Sequence, residues 1–243
     1  MIECFHLAFL EALRSRVSVD RYVLKGGANL RYFFDSERYS ADIDLDVDGL
    51  KADWRFEEQV DSVLSSDALQ RLLRAFRIAV AQDGISKPRQ TSTTRCWRVP
   101  LTAEGHAFPI RTKIEFSDRN GDTRFKLEAV PRHIVAPYAL RPPQMQHYLT
   151  QPATEQKVVA LARRPETQAR DVFDLELLFR HGGSVAGIDE AEIKAAAEAA
   201  VSLSWLDFQT QVVPFLDPEV AALYDETAWN AIQHAVAGKL LEQ

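Results

Sequence analysis

The 243-residue sequence predicts an α+β protein, with a small mixed β-sheet domain carrying helices on one face over residues 1–140 and a helical domain over 141–243. Three observations predict this. Period-two alternation is confined to the first 130 residues, four prolines (Pro131, Pro137, Pro142, Pro143) break regular structure next, and every periodic segment beyond them has helical spacing.

Composition sets the class. Apolar residues make up 46% and charged residues 26%, the balance of an ordinary globular chain rather than a disordered one. No apolar run approaches the ~20 residues of a membrane helix, and Met-Ile-Glu-Cys lacks a basic leader. Cys4 and Cys96 are too few for a disulfide framework or a cysteine metal cage. The expectation is a cytoplasmic protein with reduced thiols and no membrane partner. Net charge is −6, but residues 1–70 carry 8 basic and 14 acidic side chains, residues 71–170 carry 18 and 8, and residues 171–243 carry 3 and 13. A basic middle between acidic ends points to an anionic partner for the middle.

In chain order, Phe5, Ala8, Phe9, Ala12 and Leu13 lie at helical spacing. Tyr22-Val23-Leu24 reads as a short buried strand, broken by Gly26-Gly27 ahead of a helical run from Ala28 to Phe34. Asp42 to Asp48 alternates strictly, with Ile43, Leu45 and Val47 between four aspartates, which is a strand with one apolar and one acidic face. Phe56 to Ala79 reads as two helices parted near Ser66 and Asp67, either of which can cap the second. Arg71, Arg74 and Arg77 form a basic stripe on it, followed by Lys87, Arg89, Arg95 and Arg98. Arg95–Leu101 is a strand, and Ile110–Phe116 a clearer one, with Arg111, Lys113 and Glu115 opposite its apolar face. Asn120-Gly121-Asp122 has hairpin-turn chemistry, so 110–116 and 125–130 are expected to pair. Helices then follow: one capped by Thr154 and ended by Pro165, one over about 168–181 stopped by Gly182-Gly183, and bundle pieces to Leu241.

Two stretches carry chemistry. Strand, glycine turn and helix bring backbone N–H groups close to a phosphate, so Gly26 and Gly27 are candidate nucleotide contacts. Fourteen residues separate Gly27 from Asp42. Asp42 and Asp44 project from one strand face with roughly 6.6 to 7 Å between Cα atoms. Their mutual repulsion is relieved by a cation, and hard carboxylate oxygens suit Mg²⁺. Glu115 is the candidate third carboxylate, or else a surface ion pair with Arg111 or Lys113; Asp46 is the substitute. Ser40 and Arg38 are placed to contact phosphate oxygens, Arg38 alternatively to pair with the acids. The second stretch is Lys157 with Arg170-Asp171-Val172-Phe173-Asp174-Leu175, a lysine on one helix and an aspartate at the start of the next.

LKGGANL followed by RYSADIDL, with KVVALARR and RDVFDL beyond, resembles the nucleotidyltransferase superfamily. Within it, the match is to the AbiEii/AbiGii branch of abortive-infection toxins. The resemblance covers about residues 20–180, and proteins of the resembled family often have more chain ahead of the first helix. The resemblance implies an enzyme that moves NMP from an NTP to an acceptor hydroxyl with Mg²⁺ held by Asp42, Asp44 and a third carboxylate, for which Glu115 is the candidate and Asp46 the substitute. Lys157 would bind nucleotide phosphate, and Asp171 would complete the site from the helical domain across the interdomain cleft. Asp174, one turn on, would be structural. The implied acceptor is tRNA, and the implied partner a cognate antitoxin. Two alternatives remain: the same fold modifying a small molecule or a protein side chain, and an inactive nucleotide- or partner-binding module. The six histidines form no pair at ligand spacing, and no nucleophile elbow supports Ser/His/Asp catalysis.

Overall fold

A computed structural model gives the structure, and it describes residues 1–119 and 121–242. The chain divides into two compact units, one of residues 1–33 and 40–148, the other of residues 34–39 and everything from Leu149 onward.

Unit 1 runs α1 (Ile2–Leu13), β1 (Tyr22–Lys25), α2 (Gly26–Phe33), β2 (Asp42–Val47), α3 (Phe56–Leu64), α4 (Asp67–Arg74), β3 (Ile78–Val80), β4 (Ser86–Gln90), β5 (Thr94–Ala103), β6 (Ile110–Asp118), β7 (Phe125–Ala129), α5 (Arg132–Val135) and β8 (Gln144–Tyr148). The sheet order is β3-β5-β6-β2-β1-β8-β7, with β4 also on β5. The pairs β2–β6 and β1–β8 are parallel and the others antiparallel, so the sheet is mixed.

Alternation decides which face is covered. Ile43, Leu45 and Val47 of β2, Trp97 and Val99 of β5, and Ile114 and Phe116 of β6 are fully buried in one cluster. Phe5 and Phe9 of α1, Tyr32 of α2, Val60 of α3 and Leu73 of α4 join that same cluster. The helices therefore lie against the apolar face, and the acidic residues of β2 are left on the other. Ser66 caps α4 through its side chain, accepting from Leu69 N.

The expected 110–116/125–130 hairpin does not form. β6 pairs with β5 along one edge and β2 along the other, so neither edge is open to β7, which pairs with β8 instead. A place beside β6 would have cost β2 its parallel neighbour and left the backbone N–H and C=O groups of that edge unpaired. Asn120 of the expected turn lies outside the described residues. Arg77 does not extend the stripe of Arg71 and Arg74. The helix ends at Arg74, and Arg77 takes a positive φ of 55° before β3 and pairs with Glu104.

Unit 2 is helical: α6 (Thr150–Arg163), α7 (Ala169–Arg180), α8 (Glu190–Ser202), α9 (Trp205–Gln211), α10 (Pro218–Ala221) and α11 (Glu226–Leu241). Val158, Phe173, Ala196, Phe208 and Trp229 share its core. Thr154 is inside α6 rather than its cap, with Oγ1 donating back to the Thr150 carbonyl at 2.8 Å. Asp189, Ser204 and Asp225 cap α8, α9 and α11.

One buried polar chain in unit 1 holds the start of β2. The Thr112 hydroxyl donates to the Ala41 carbonyl at 2.7 Å, so its oxygen accepts from His6 Nε2, also at 2.7 Å. His6 Nδ1 then carries a lone pair with no partner. Burial, the largest cause, lowers the His6 pKa to about 3. Below pH 6.5 the unfolded chain protonates this imidazole and the folded one does not, so stability falls as pH drops from 6.5 towards about 3. Replacing His6 with Gln should remove about 2–3 kcal/mol of the stability lost between pH 7 and pH 4.5. Urea unfolding of the two proteins at both pH values checks this; identical pH slopes would contradict it.

Candidate functional site

The parallel register of β2 and β6 sets Asp42 opposite Lys113 and Asp44 opposite Glu115. All four side chains stand on the face away from the helices. Two aspartates about 6.8 Å apart repel by about 0.6 kcal/mol in water and about 2.4 kcal/mol at an effective dielectric of 20, and Glu115 adds a third charge. The Lys113 ammonium answers all three. It lies 3.7 Å from Asp42 Oδ2, 3.8 Å from Asp44 Oδ1 and 3.4 Å from Glu115 Oε2. Burial alone would push the Lys113 pKa down; Asp44, Asp42 and Glu115 outweigh it and hold the ammonium above its ordinary range. Asp42 Oδ1 also accepts from the Lys113 backbone N–H at 3.1 Å.

The helix start closes on the same point. Gly26 has φ of 68°, and a Cβ there would meet Asp44 Oδ2 at 2.9 Å. Both the backbone conformation and the contact require glycine. α2 therefore opens with its free N–H groups beside the Asp44 carboxylate. Ser40 Oγ donates to the Asp42 carbonyl at 2.7 Å, tying the approach to β2.

Asp46 is differently engaged. It accepts from Lys25 Nζ at 2.6 Å and from the Tyr148 hydroxyl at 2.8 Å, and it is buried. Glu115 is therefore the carboxylate grouped with Asp42 and Asp44. Among the described residues, no three acidic, histidine or cysteine side chains stand ready to hold a metal ion; here the ammonium takes the centre. In donor type the three carboxylates fit Mg²⁺, which favours hard oxygen ligands, and they converge on one cationic group already. Mg²⁺ binding would require Lys113 to give way. The sequence shows Lys113 only as one possible ion-pair partner of Glu115; the β2–β6 register makes it the counter-ion of all three.

The remaining predicted residues gather in unit 2. Asp174 is fully buried and accepts from Arg38 through both oxygens, with contacts of 2.9 to 3.2 Å. Lys157 Nζ lies 2.8 Å from Asp171 Oδ1 and 2.6 Å from Asp174 Oδ2. Arg164 Nε is 3.0 Å from Asp171 Oδ2, without hydrogen-bond geometry. Desolvation opposes the charge on Lys157, but Asp171 and Asp174 raise its pKa above the ordinary value. Desolvation likewise opposes ionised Asp174, and Arg38 and Lys157 lower its pKa nonetheless. Arg38 reaches this cluster because residues 34–39 pack in unit 2, with Tyr39 N donating to the Phe215 carbonyl at 2.7 Å and the Tyr224 hydroxyl donating to Glu37.

A glycine-opened helix beside paired aspartates on a mixed sheet is the core of a nucleotidyltransferase. The chain belongs to the family described as nucleotidyl transferase AbiEii toxin of type IV toxin–antitoxin systems, whose pattern matches residues 8–240. The enzyme class is therefore nucleotidyltransferase, and membership implies a nucleotide substrate and an antitoxin partner. No curated protein matches the chain. Among solved structures, JHP933 of Helicobacter pylori is 19% identical, with a TM-score of 0.58 over 98% of this chain and 91% of that one. A second H. pylori structure, described as a putative nucleotidyltransferase, is 18% identical with a TM-score of 0.61 over 97% and 93%. The MenT4 nucleotidyltransferase toxin of Mycobacterium tuberculosis is 18% identical, with a TM-score of 0.53 over 99% and 83%. These likenesses show the shared fold.

Two predictions follow from the charge groupings. Lys113→Met should lower metal-free stability by about 1 kcal/mol, a value discounted for partial exposure, and millimolar Mg²⁺ should raise the variant's Tm more than the wild type's. A variant equally or more stable without metal would contradict the counter-ion role. Asp174→Asn breaks a fully buried pair and should cost roughly 3–5 kcal/mol. Loss of hydrogen-exchange protection along α7 measures it, and unchanged protection would contradict it.

Proposed function

We propose that the protein transfers NMP from an NTP to a hydroxyl of RNA, with tRNA as the acceptor, in a Mg²⁺-dependent reaction that arrests growth. The observation that carries this reading is the convergence of Asp42, Asp44 and Glu115 beside the glycine-opened start of α2. Bound by those three carboxylates, Mg²⁺ would supply charge neutralisation for the triphosphate and would lower the pKa of the attacking hydroxyl. The acceptor oxygen forms a bond to the α-phosphorus. The bond from that phosphorus to the bridging oxygen breaks, pyrophosphate leaves with the electron pair, and the hydroxyl proton passes to water. The backbone N–H groups at Gly26 and Gly27 would orient phosphate oxygens, and Ser40 would hold the approach to Asp42 in place.

Family resemblance supports Lys157 as a triphosphate contact, with Asp171 positioning its ammonium and Arg38 acting with it. Their buried, mutually neutralising arrangement gives each a structural share as well. The toxin's setting would be the cytoplasm, where NTPs, tRNA and a neighbouring antitoxin meet, and its role would be abortive infection. No helix among the described residues is long and apolar enough to cross a membrane.

The test is incubation of purified protein with each labelled NTP, Mg²⁺ and total RNA, beside Asp44→Asn. Label should enter RNA, with pyrophosphate released, and the variant should lose at least 100-fold in rate, about 2.7 kcal/mol of transition-state stabilisation. Near wild-type transfer by the variant would remove the acidic face from the mechanism. Label entering only a small molecule or a protein would select one of the other two acceptors.

A further inference from the structure

Paired residues on neighbouring strands point to the same side of a sheet, so the strand registers lay out rows across the face that bears the carboxylates. One row reads Ser86, Arg98, Lys113, Asp42, and the next Arg89, Cys96, Glu115, Asp44. Arg111, opposite Pro100, stands two residues along β6 from Lys113. Arg89, Arg98 and Arg111 are all exposed. Among the described residues none of the three has an ion-pair partner, whereas Lys87 holds Glu57 and Asp61 and Arg77 holds Glu104. The rows are electrically one neighbourhood. Burial raises the Cys96 thiol's pKa, Glu115 adds to that, and Lys113, Arg98 and Arg89 all oppose it.

Resting on the nucleotidyl-transfer reading, we propose that Arg98 and Arg111, extended by Arg89, form the surface that holds the phosphodiester backbone of an RNA acceptor beside Asp42, Asp44 and Glu115. The acidic site itself repels a polyanion by about 0.4 kcal/mol for each pair of charges 10 Å apart in water. Arg98 lies two strands from Asp42, a lateral distance of about 10 Å, which is also about one Debye length at 0.1 M salt. The arginines therefore act on the same phosphates that the carboxylates repel. A polycationic small acceptor would be driven off by this row, and a neutral one would gain nothing from it. Arg71 and Arg74, the more obvious stripe in the sequence, belong to a helix whose Leu69 and Leu73 enter the core on the opposite face. They lie on the wrong side of the sheet to share in this surface.

The test compares two charge-matched doubles of the full chain, Arg98→Gln/Arg111→Gln and Arg71→Gln/Arg74→Gln, by direct binding of labelled total tRNA across a salt series. The first should reduce the slope of log affinity against log salt by about 1.4 to 1.8, two contacts at about 0.7 each on single-stranded and about 0.9 each on helical parts of the tRNA, which is about a 25- to 60-fold loss at 0.1 M salt. The second should match wild type. Thermal midpoints of both variants guard against misfolding, and Arg98→Lys, which keeps the charge, should retain most of the affinity. Equal slopes for wild type and the first double, or equal losses in both doubles, overturn the proposal. So does a wild type that transfers NMP yet binds no RNA, an outcome that leaves nucleotidyl transfer standing with a different acceptor. A wild type that binds RNA through this row but transfers no NMP would instead overturn the proposed reaction and keep the surface.

Discussion

Three carboxylates on two adjacent parallel strands, facing one way, need a cation, and the rest of unit 1 is consistent with that need. Asp42 and Asp44 are forced outward because Ile43, Leu45 and Val47 are forced inward. Glu115 joins them because β6 takes its place beside β2 in a register that aligns residues 44 and 115. The same register brings Lys113 into the centre, so the sheet carries its own counter-ion. Gly26 completes the constraint, since any side chain there would strike the Asp44 carboxylate. The site is thus half-exposed and electrostatically satisfied by a group that can withdraw.

The charged cluster of unit 2 obeys the opposite rule. Arg38, Lys157, Asp171 and Asp174 are all buried, and each charge is matched locally. Buried pairs are strongly damaging when broken, because the partner left behind is desolvated without compensation. Variants of Lys157 or Asp171 therefore change folding as well as any chemistry, and loss of activity alone says little about their part in catalysis. Asp42, Asp44 and Glu115 stand on a wetter surface and admit cleaner substitutions.

Most of the site in unit 1 was legible in the sequence because it rests on local periodicity. Four alternating aspartates state their own face, and Gly26-Gly27 between strand and helix states the close approach. The partner of β6 was not legible. Asn120-Gly121 offers hairpin chemistry, but pairing is decided by which strand must bury its apolar face, and β2, about 70 residues away, had more to bury. The strand at Gln144–Tyr148 was hidden among prolines, with only the burial of Met145 and His147 at alternate positions to mark it. The stripe of Arg71, Arg74 and Arg77 is broken in the fold for a related reason. Sequence spacing orders residues on one helix but does not say which face of the sheet that helix covers, and Arg77 had already left the helix. Arg98 and Arg111, thirteen positions apart in the sequence, become neighbours only through the β5–β6 register.

The central claim is that a divalent cation and a nucleotide meet on the acidic face of β2 and β6. Paramagnetic broadening reads this directly: Mn²⁺ with a non-hydrolysable NTP is titrated into isotope-labelled protein, and amide signals are followed by NMR. The amides of Gly26, Asp42, Asp44, Lys113 and Glu115 should broaden first and together, at substoichiometric metal, and Asp42→Asn should abolish the effect. Broadening that begins elsewhere, for example at the acidic start of α8, and spares those five residues would contradict the account.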